Sequence, residues 1–230
     1  GSVISHGILQ WWGLFRLGYS IYPSIHFTRA LMQDFKKYLW LSLPIMLGFS
    51  LVITDEWISK YFASSMEAGS VSWLGYARNI MRIPVAVLGQ VAGIASYPYL
   101  SMLWASKSFK QYAELLLREI EKIWALGPLA AIVLATHAVP ATHFIYRGGR
   151  FTPQDLAVTA EVLKFFAGGV FFWILQVILS RGFYAARKTW LPSVLGTVLS
   201  VFAIPLYGFL GKRYGFCGLA GASSIGIAVY

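Results

Sequence analysis

Apolar residues in this chain come in runs of some twenty or more, parted by short polar stretches. About 20 such residues cross the roughly 30 Å hydrocarbon core of a bilayer as one helix. Five runs reach that length: Tyr38 to Ala63, Val71 to Trp104, Ile123 to Tyr146, Leu156 to Arg181 and Leu191 to Gly211. Ile4 to Phe15 reads as the tail of a spanning helix and Phe216 to Tyr230 as the start of another, so the pattern predicts part of a larger bundle. The second run is too long for one straight crossing. Pro84 removes a backbone donor within it and predicts a kink, and Pro98 marks its expected far end. Gln111 to Lys122 has amphipathic spacing, with Glu114 and Arg118 one turn apart, and predicts a separate helix lying along the membrane surface or in solvent before the third run.

Composition agrees with the pattern. Of 230 residues 57% are hydrophobic and only 12% charged, against about 25% charged in soluble domains, and the mean hydropathy is +0.63. The expected class is therefore all-α integral membrane, a multi-pass helix bundle. The net charge of +10 sits mostly in short loops, without the basic helix or aromatic-basic strand of a nucleic-acid binder. These loops alternate. Arg16, Arg29, Lys36 and Lys37, then Lys107, Lys110, Arg118 and Lys122, then Arg187 and Lys188 fall on one side, which the positive-inside rule makes cytoplasmic. The lone Cys217 excludes an internal disulfide framework and a cysteine metal site. No secretory leader, Walker loop, nucleophile elbow or metal-ligand spacing is legible, so no catalytic residue, metal or cofactor is expected.

Charge inside the apolar runs carries the functional reading. Arg78 and Arg82 lie one helical turn apart in the second run, and Asp55, Glu56 and Lys60 come near the end of the first. Counted at about 1.5 Å per residue from the loop that joins the two runs, Asp55, Glu56 and Arg78 share a level. His137 and His143 in the third run and Glu161 and Lys164 in the fourth add to the outer half. Charges facing lipid are costly, so this layer predicts a wet cavity opening outward. Two readings stand. Asp55 and Glu56 pair with the arginines to pin neighbouring helices, or the arginines grip phosphate oxygens with their planar forks, which at this spacing suit a diphosphate. Glu161 and Lys164 are expected to satisfy each other, and the histidines to be satisfied helix-end residues. Gly89 and Gly93, and the Gly168–Gly169 pair, permit close helix approach.

The residues themselves bring a resemblance. The run Gly69-Ser70-Val71-Ser72-Trp73 with Tyr76, Ala77, Met81 and Pro84, the loop Arg147-Gly148-Gly149-Arg150-Phe151-Thr152 with Asp155, and the turn Ser180-Arg181-Gly182-Phe183-Tyr184-Ala185 with Thr189 and Pro192 resemble, in order and spacing, motifs of the MurJ/MviN family of lipid II flippases. The likeness covers essentially the whole chain. It implies a fold like that of the multidrug and polysaccharide exporters, two lobes with alternating access between them. Residues 1–37 would hold the end of the sixth helix and a cytoplasmic connecting loop, and residues 38–230 the second-lobe bundle, up to the start of the twelfth helix. It further implies a bacterial inner-membrane protein that moves the undecaprenyl-diphosphate-linked peptidoglycan precursor from the inner to the outer leaflet, with the first lobe and membrane lipids as partners. Where the family reads aspartate, arginine and glutamate, this chain has Arg78, Asn79 and Arg82, whereas Ser72 matches a family cavity position. Lys188 stands where the family carries aspartate.

The combined expectation is a head-group site of Arg78, Arg82, Ser72 and Asn79, charge-balanced by Asp55 and Glu56, with no chemical change to the substrate. Export of another polyprenyl-diphosphate glycan, such as an O-antigen unit, and a non-transporting scaffold of the same fold are the alternatives. The loop charges make a prediction of their own. In a Cys217→Ser background, a cysteine at Glu67 will react with a membrane-impermeant maleimide in intact spheroplasts. One at Ser106 will react only after permeabilisation, and the reverse result would invert the orientation.

Overall fold

The computed structural model describes residues 10–18, 29–47, 51–148 and 151–230, and all regular structure among them is helical. The helices are α1 (residues 10–16), α2 (Arg29–Leu47), α3 (Leu51–Ser64), α4 (Ser70–Pro84), α5 (Val91–Ala105), α6 (Phe109–Thr136), α7 (Ala138–Tyr146), α8 (Pro153–Ala167), α9 (Val170–Ala185) and α10 (Trp190–Val229). Residues 4–9 of the expected leading tail, residues 48–50 within the first predicted span, and Gly149 and Arg150 of the loop motif lie outside the described residues. By packing the chain divides into residues 1–40 and residues 41–230. In the first unit, Arg16 lies over the ring of Trp12, its guanidinium carbon 4.6 Å from the centroid.

The second unit is built around α8 and α9. Thr159, Leu163, Phe166, Val170 and Ile174 are fully enclosed, α4, α7 and α10 pack on α8, and α5 and α6 pack on α9. Among the described residues, Ser70–Ala105 and Trp190–Val229 are long and apolar enough to cross a membrane, and α6 with α7 and α8 with α9 are so when each bent pair is taken together.

Three of the expected spans, the second to the fourth, differ from straight rods, each for a local reason. The second runs from Ser70 to Ala105 without interruption, through a wide π-helical turn at Val85–Gln90 directly after Pro84. Pro84 cannot donate to the carbonyl four residues back, and the chain absorbs the misfit in one broader turn. Pro98 is accommodated inside α5 and does not end it. In the third, the segment expected as a separate amphipathic helix is continuous with the span, since α6 starts at Phe109 and runs 28 residues, about 42 Å at 1.5 Å per residue. That span stops at Thr136, and α7 leaves at 74°. Pro140 has no N–H for the Thr136 carbonyl, and its ring crowds that carbonyl. His137, at the corner, lies within hydrogen-bond distance of Thr136 Oγ1 (2.9 Å) and the Val133 carbonyl (3.2 Å), as a satisfied helix-end residue would.

The fourth span bends by 53° at Gly168–Gly169. There the amide of Gly169 donates to the Phe166 carbonyl (2.9 Å), which leaves the Phe165 carbonyl to accept from Ser224 Oγ at 2.8 Å. A methyl group at Gly169 would lie 2.9 Å from the Ser224 Cα, so only glycine admits this crossing. The fifth, Leu191 to Gly211, and the partial span expected from Phe216 are the two arms of α10, which is a hairpin as that division implies. Gly215, at φ 60° and ψ −143°, reverses the chain, and the arms meet so closely that a methyl at Gly218 would fall 2.0 Å from the Leu210 carbonyl oxygen. Gly89 and Gly93 take the packing role expected of them, against Ile174 and Val177 and against Arg181 of α9.

Adjacent glycines therefore differ in what they tolerate. Gly169→Ala will lower the thermal unfolding midpoint in detergent, corresponding to about 1–3 kcal/mol of overpacking. Gly168→Ala, which meets nothing nearer than the Phe165 carbonyl oxygen at 3.5 Å, will leave the midpoint within a degree or two or raise it. Equal effects at both positions would refute the close crossing.

Candidate functional site

Asp55 and Ser59 lie one turn apart on the buried side of α3, and Arg78 reaches them from α4. Arg78 donates to the Asp55 carboxylate through Nη1 and to Ser59 Oγ through Nη2 at 2.8 Å. The hydroxyl of Tyr207, on the first arm of α10, donates to the other Asp55 oxygen, and Ser223 on the second arm adds a bond of 2.8 Å. The Phe166 ring of α8 covers the guanidinium, with 5.0 Å from its carbon to the centroid. Arg78 is 4% exposed and Asp55 6%. Burying a charge costs several kcal/mol, so a dry ion pair persists only when its remaining hydrogen-bonding positions are filled. Here serine and tyrosine hydroxyls fill them, and α3, α4, α8 and both arms of α10 meet at one point.

One turn further along α4 the environment changes. Arg82 Nη2 donates to Glu56 Oε2 at 2.5 Å, and Lys60 Nζ to Glu56 Oε1 at 2.7 Å. The side chains of Arg82 and Lys60 are about half exposed, at 47% and 50%. Ser72 and Asn79 are exposed as well, and at intervals of seven and three residues from Ser72 through Asn79 to Arg82 they follow one face of α4. Beside Arg82 opens a cavity of about 250 Å³, walled by Val85 and Gln90 of the wide turn and by Trp173 and Gln176 of α9. The wide turn explains the space, because the extra residue per turn spreads the backbone where α4 passes into α5.

The structure thus separates what the sequence treats as a pair. Arg78 faces a sealed network and Arg82 an open space, while Asp55 and Glu56, adjacent in sequence, serve one arginine each. His143 lines a different hollow, with Tyr146, Arg147 and Phe151, and Glu161 and Lys164 are both exposed with no ion pair between them. The expected mutual satisfaction of Glu161 and Lys164 is therefore absent, and the single charged layer resolves into separate clusters. Ser59, Tyr207 and Ser223 escaped the sequence reading because hydroxyls in apolar helices carry no periodic signal. Gln90, Trp173 and Gln176 escaped it because the space they line exists only once the turn after Pro84 widens. The loop motif has a structural job: Asp155 and Thr152 form a capping box at the start of α8, and Asp155 also accepts from Trp73 Nε1 at 2.6 Å.

Comparison with known proteins places the fold. The family model described as "Lipid II flippase MurJ" matches residues 2–230. A probable lipid II flippase MurJ of Vibrio cholerae is 26% identical over 80% of this chain and 35% of its own length. The lipid II flippase MurJ of Burkholderia cenocepacia is 29% identical over 91% of this chain and 43% of its own length. Among solved structures, a lipid II flippase MurJ in an inward closed conformation superposes with a TM-score of 0.72 at 23% identity, over 90% of this chain and 43% of that one. A MATE structure gives 0.69 at 14%, over 82% and 42%. This chain spans well under half the length of these relatives, and its fold is that of the MurJ and MATE transporters.

The two arginines will respond differently to neutralisation. Arg78→Gln leaves Asp55 buried and unpaired and will cost about 3–5 kcal/mol, whereas Arg82→Gln, in a wet pair, will cost about 0–1 kcal/mol. Adding Asp55→Asn to Arg78→Gln will recover part of the loss. Unfolding midpoints of the three variants against the unsubstituted protein check this, and equal costs at Arg78 and Arg82 would contradict the dry and wet assignment.

Proposed function

The chain belongs to the MurJ family of lipid II flippases, and on that premise we propose that it forms the second-lobe part of a flippase for a lipid-linked diphosphate glycan, in the first instance the undecaprenyl-diphosphate-linked peptidoglycan precursor. Its apolar helices and its family make it part of a bacterial inner-membrane protein. The observation that carries the reading is Arg82: a half-exposed guanidinium within an apolar helix, next to an open cavity. A cation so placed is costly unless water or an anionic ligand reaches it.

In this reading Arg82 contacts the diphosphate, Asn79 and Ser72 hydrogen-bond along the same face of α4, and Glu56 balances Arg82 while the site is empty. Arg78 stays bound to Asp55 and keeps α3, α4 and α10 together as the lobe moves. Movement of the lobes against each other presents the head group first to one leaflet and then to the other, and the substrate leaves chemically unchanged. Binding must stay loose enough for release, which an exposed ion pair exchanging with a ligand permits. The enclosure of Arg78 favours the scaffold reading for that residue alone, because a sealed pair offers nothing to a ligand. Export of another polyprenyl-diphosphate glycan keeps every one of these contacts and differs only in the sugar.

Complementation tests it. The intact protein, expressed in a cell depleted of its lipid II flippase, will sustain growth. Arg82→Gln will reduce that rescue at unchanged membrane abundance, by about tenfold in flipping rate for a lost charged contact. A well-inserted protein that fails to rescue would exclude lipid II as the substrate. Rescue indifferent to Arg82 would remove that residue from the site.

A further inference from the structure

Tyr76 is exposed on the face of α4 that also carries Ser72 and Asn79. At 3.6 residues per turn, positions 72, 76 and 79 fall within an arc of about 60°. Among the described residues the Ser72 hydroxyl, the Tyr76 hydroxyl and the Asn79 carboxamide have no hydrogen-bond partner, whereas Ser59 and Ser70 close by return their hydroxyls to the backbone. Two rings back Tyr76 from the far side of the α7–α8 connection. Its centroid lies 4.7 Å from that of Tyr146, which ends α7, and 5.5 Å from that of Phe151, just before α8. Tyr146 and Phe151 are themselves stacked at 5.5 Å, and the Tyr146 hydroxyl donates to the Tyr76 carbonyl at 3.3 Å. These contacts order the three rings while Tyr76 stays 36% exposed. Tyr146 and Phe151 also wall a hollow of about 260 Å³. An ordered ring, flanked one turn to either side by unspent hydrogen-bonding groups, is thus presented along the strip that leads to Arg82.

We propose that Tyr76, backed by Tyr146 and Phe151, is a sugar-binding platform, the specificity-determining contact for the glycan carried on the diphosphate. The assignment rests on the proposed flippase reading and deepens it by naming what meets the sugar. The C–H groups on one face of a pyranose carry slight positive charge and settle on the negative face of an aromatic ring. The hydroxyls around the sugar's edge need donors and acceptors, and a serine hydroxyl and an asparagine carboxamide supply both. A ring already ordered by its neighbours gives contact area at small entropic cost. The position fits as well. Tyr76 precedes Arg82 by six residues, about 9 Å along the axis, toward the end of the span that the loop charges make external. A sugar joined directly to a phosphate at Arg82 comes within reach of the platform, and the hollow beside Tyr146 and Phe151 leaves room for the rest of the glycan. A ring that served only to anchor the bilayer interface would not distinguish a bare lipid from a glycan-bearing one.

That difference is the test. Binding to the intact protein in nanodiscs is measured calorimetrically with undecaprenyl diphosphate in one arm and lipid II in the other. Tyr76→Leu removes the ring and keeps apolar bulk, and Tyr76→Phe keeps the ring and removes the hydroxyl. Phe151→Leu, which withdraws part of the backing, keeps the proposal falsifiable if Tyr76→Leu does not fold. The expected result is weaker lipid II binding by about tenfold for Tyr76→Leu and about threefold for Phe151→Leu, with a smaller change for Tyr76→Phe. Undecaprenyl diphosphate will bind all three variants as it binds the unsubstituted protein. Loss confined to the lipid II arm supports the platform. Equal loss in both arms assigns the rings to packing or to the membrane interface and overturns it, as does unchanged binding in both. Equal affinity of the unsubstituted protein for the two lipids also overturns it, and a loss with Arg82→Gln in both arms then leaves the flippase reading standing. Binding of neither lipid by the unsubstituted protein would sink both.

Discussion

A carboxylate and a guanidinium shut away from solvent at Asp55 and Arg78 set the terms for the second unit of this protein. Neither group tolerates isolation inside an apolar bundle, so each must be met by the other and by enough hydroxyls to use its remaining valences. That requirement draws Tyr207 and Ser223 to the same point from opposite arms of the α10 hairpin. It also brings Ser59 from the next turn of α3 and lays Phe166 of α8 over the guanidinium. Loss of either charge strands the other, and loss of a hydroxyl leaves a buried hydrogen-bonding position unfilled.

Helical geometry explains why the neighbouring pair behaves otherwise. Consecutive residues on a helix point about 100° apart, whereas residues four apart point within about 40° and sit about 6 Å along the axis. Asp55 and Glu56 consequently look in different directions, one into the bundle and one toward its edge. Arg78 and Arg82 stay near a common face but reach different depths of packing. A single helix pair thus holds an enclosed charge and an exposed one side by side. The second is half exposed in its pair with Glu56.

Much of this was legible in the chain. The spacing of apolar runs located the helices, and the Arg78, Arg82, Asp55 and Glu56 grouping was visible because ionisable residues stand out in apolar surroundings. The helix-pinning reading describes Asp55 and Arg78, and Arg82 stands beside an open cavity. The angle of each helix was not legible. The turn at Thr136 comes from a proline four residues on, and the bend at Gly168–Gly169 depends on Ser224, which lies 55 residues away in sequence and supplies a hydroxyl to a freed carbonyl. Tyr207 was hidden for a related reason, since a tyrosine in an apolar helix reads as an interfacial residue until a carboxylate from another helix is seen to meet its hydroxyl. Tertiary partners decide such positions, and periodicity carries no record of them.

The wide turn at Val85–Gln90 has a mechanical consequence. Residues 70–105 form one unbroken helix, but its first half leans on α8 and α3 while its second half leans on α9 and α6. The broad turn is where allegiance changes, and it is the part of the helix with the least regular hydrogen bonding. A rod gripped by different neighbours above and below a soft joint does not rotate as a unit. Any relative twist of the two halves would fall first on the residues at that joint.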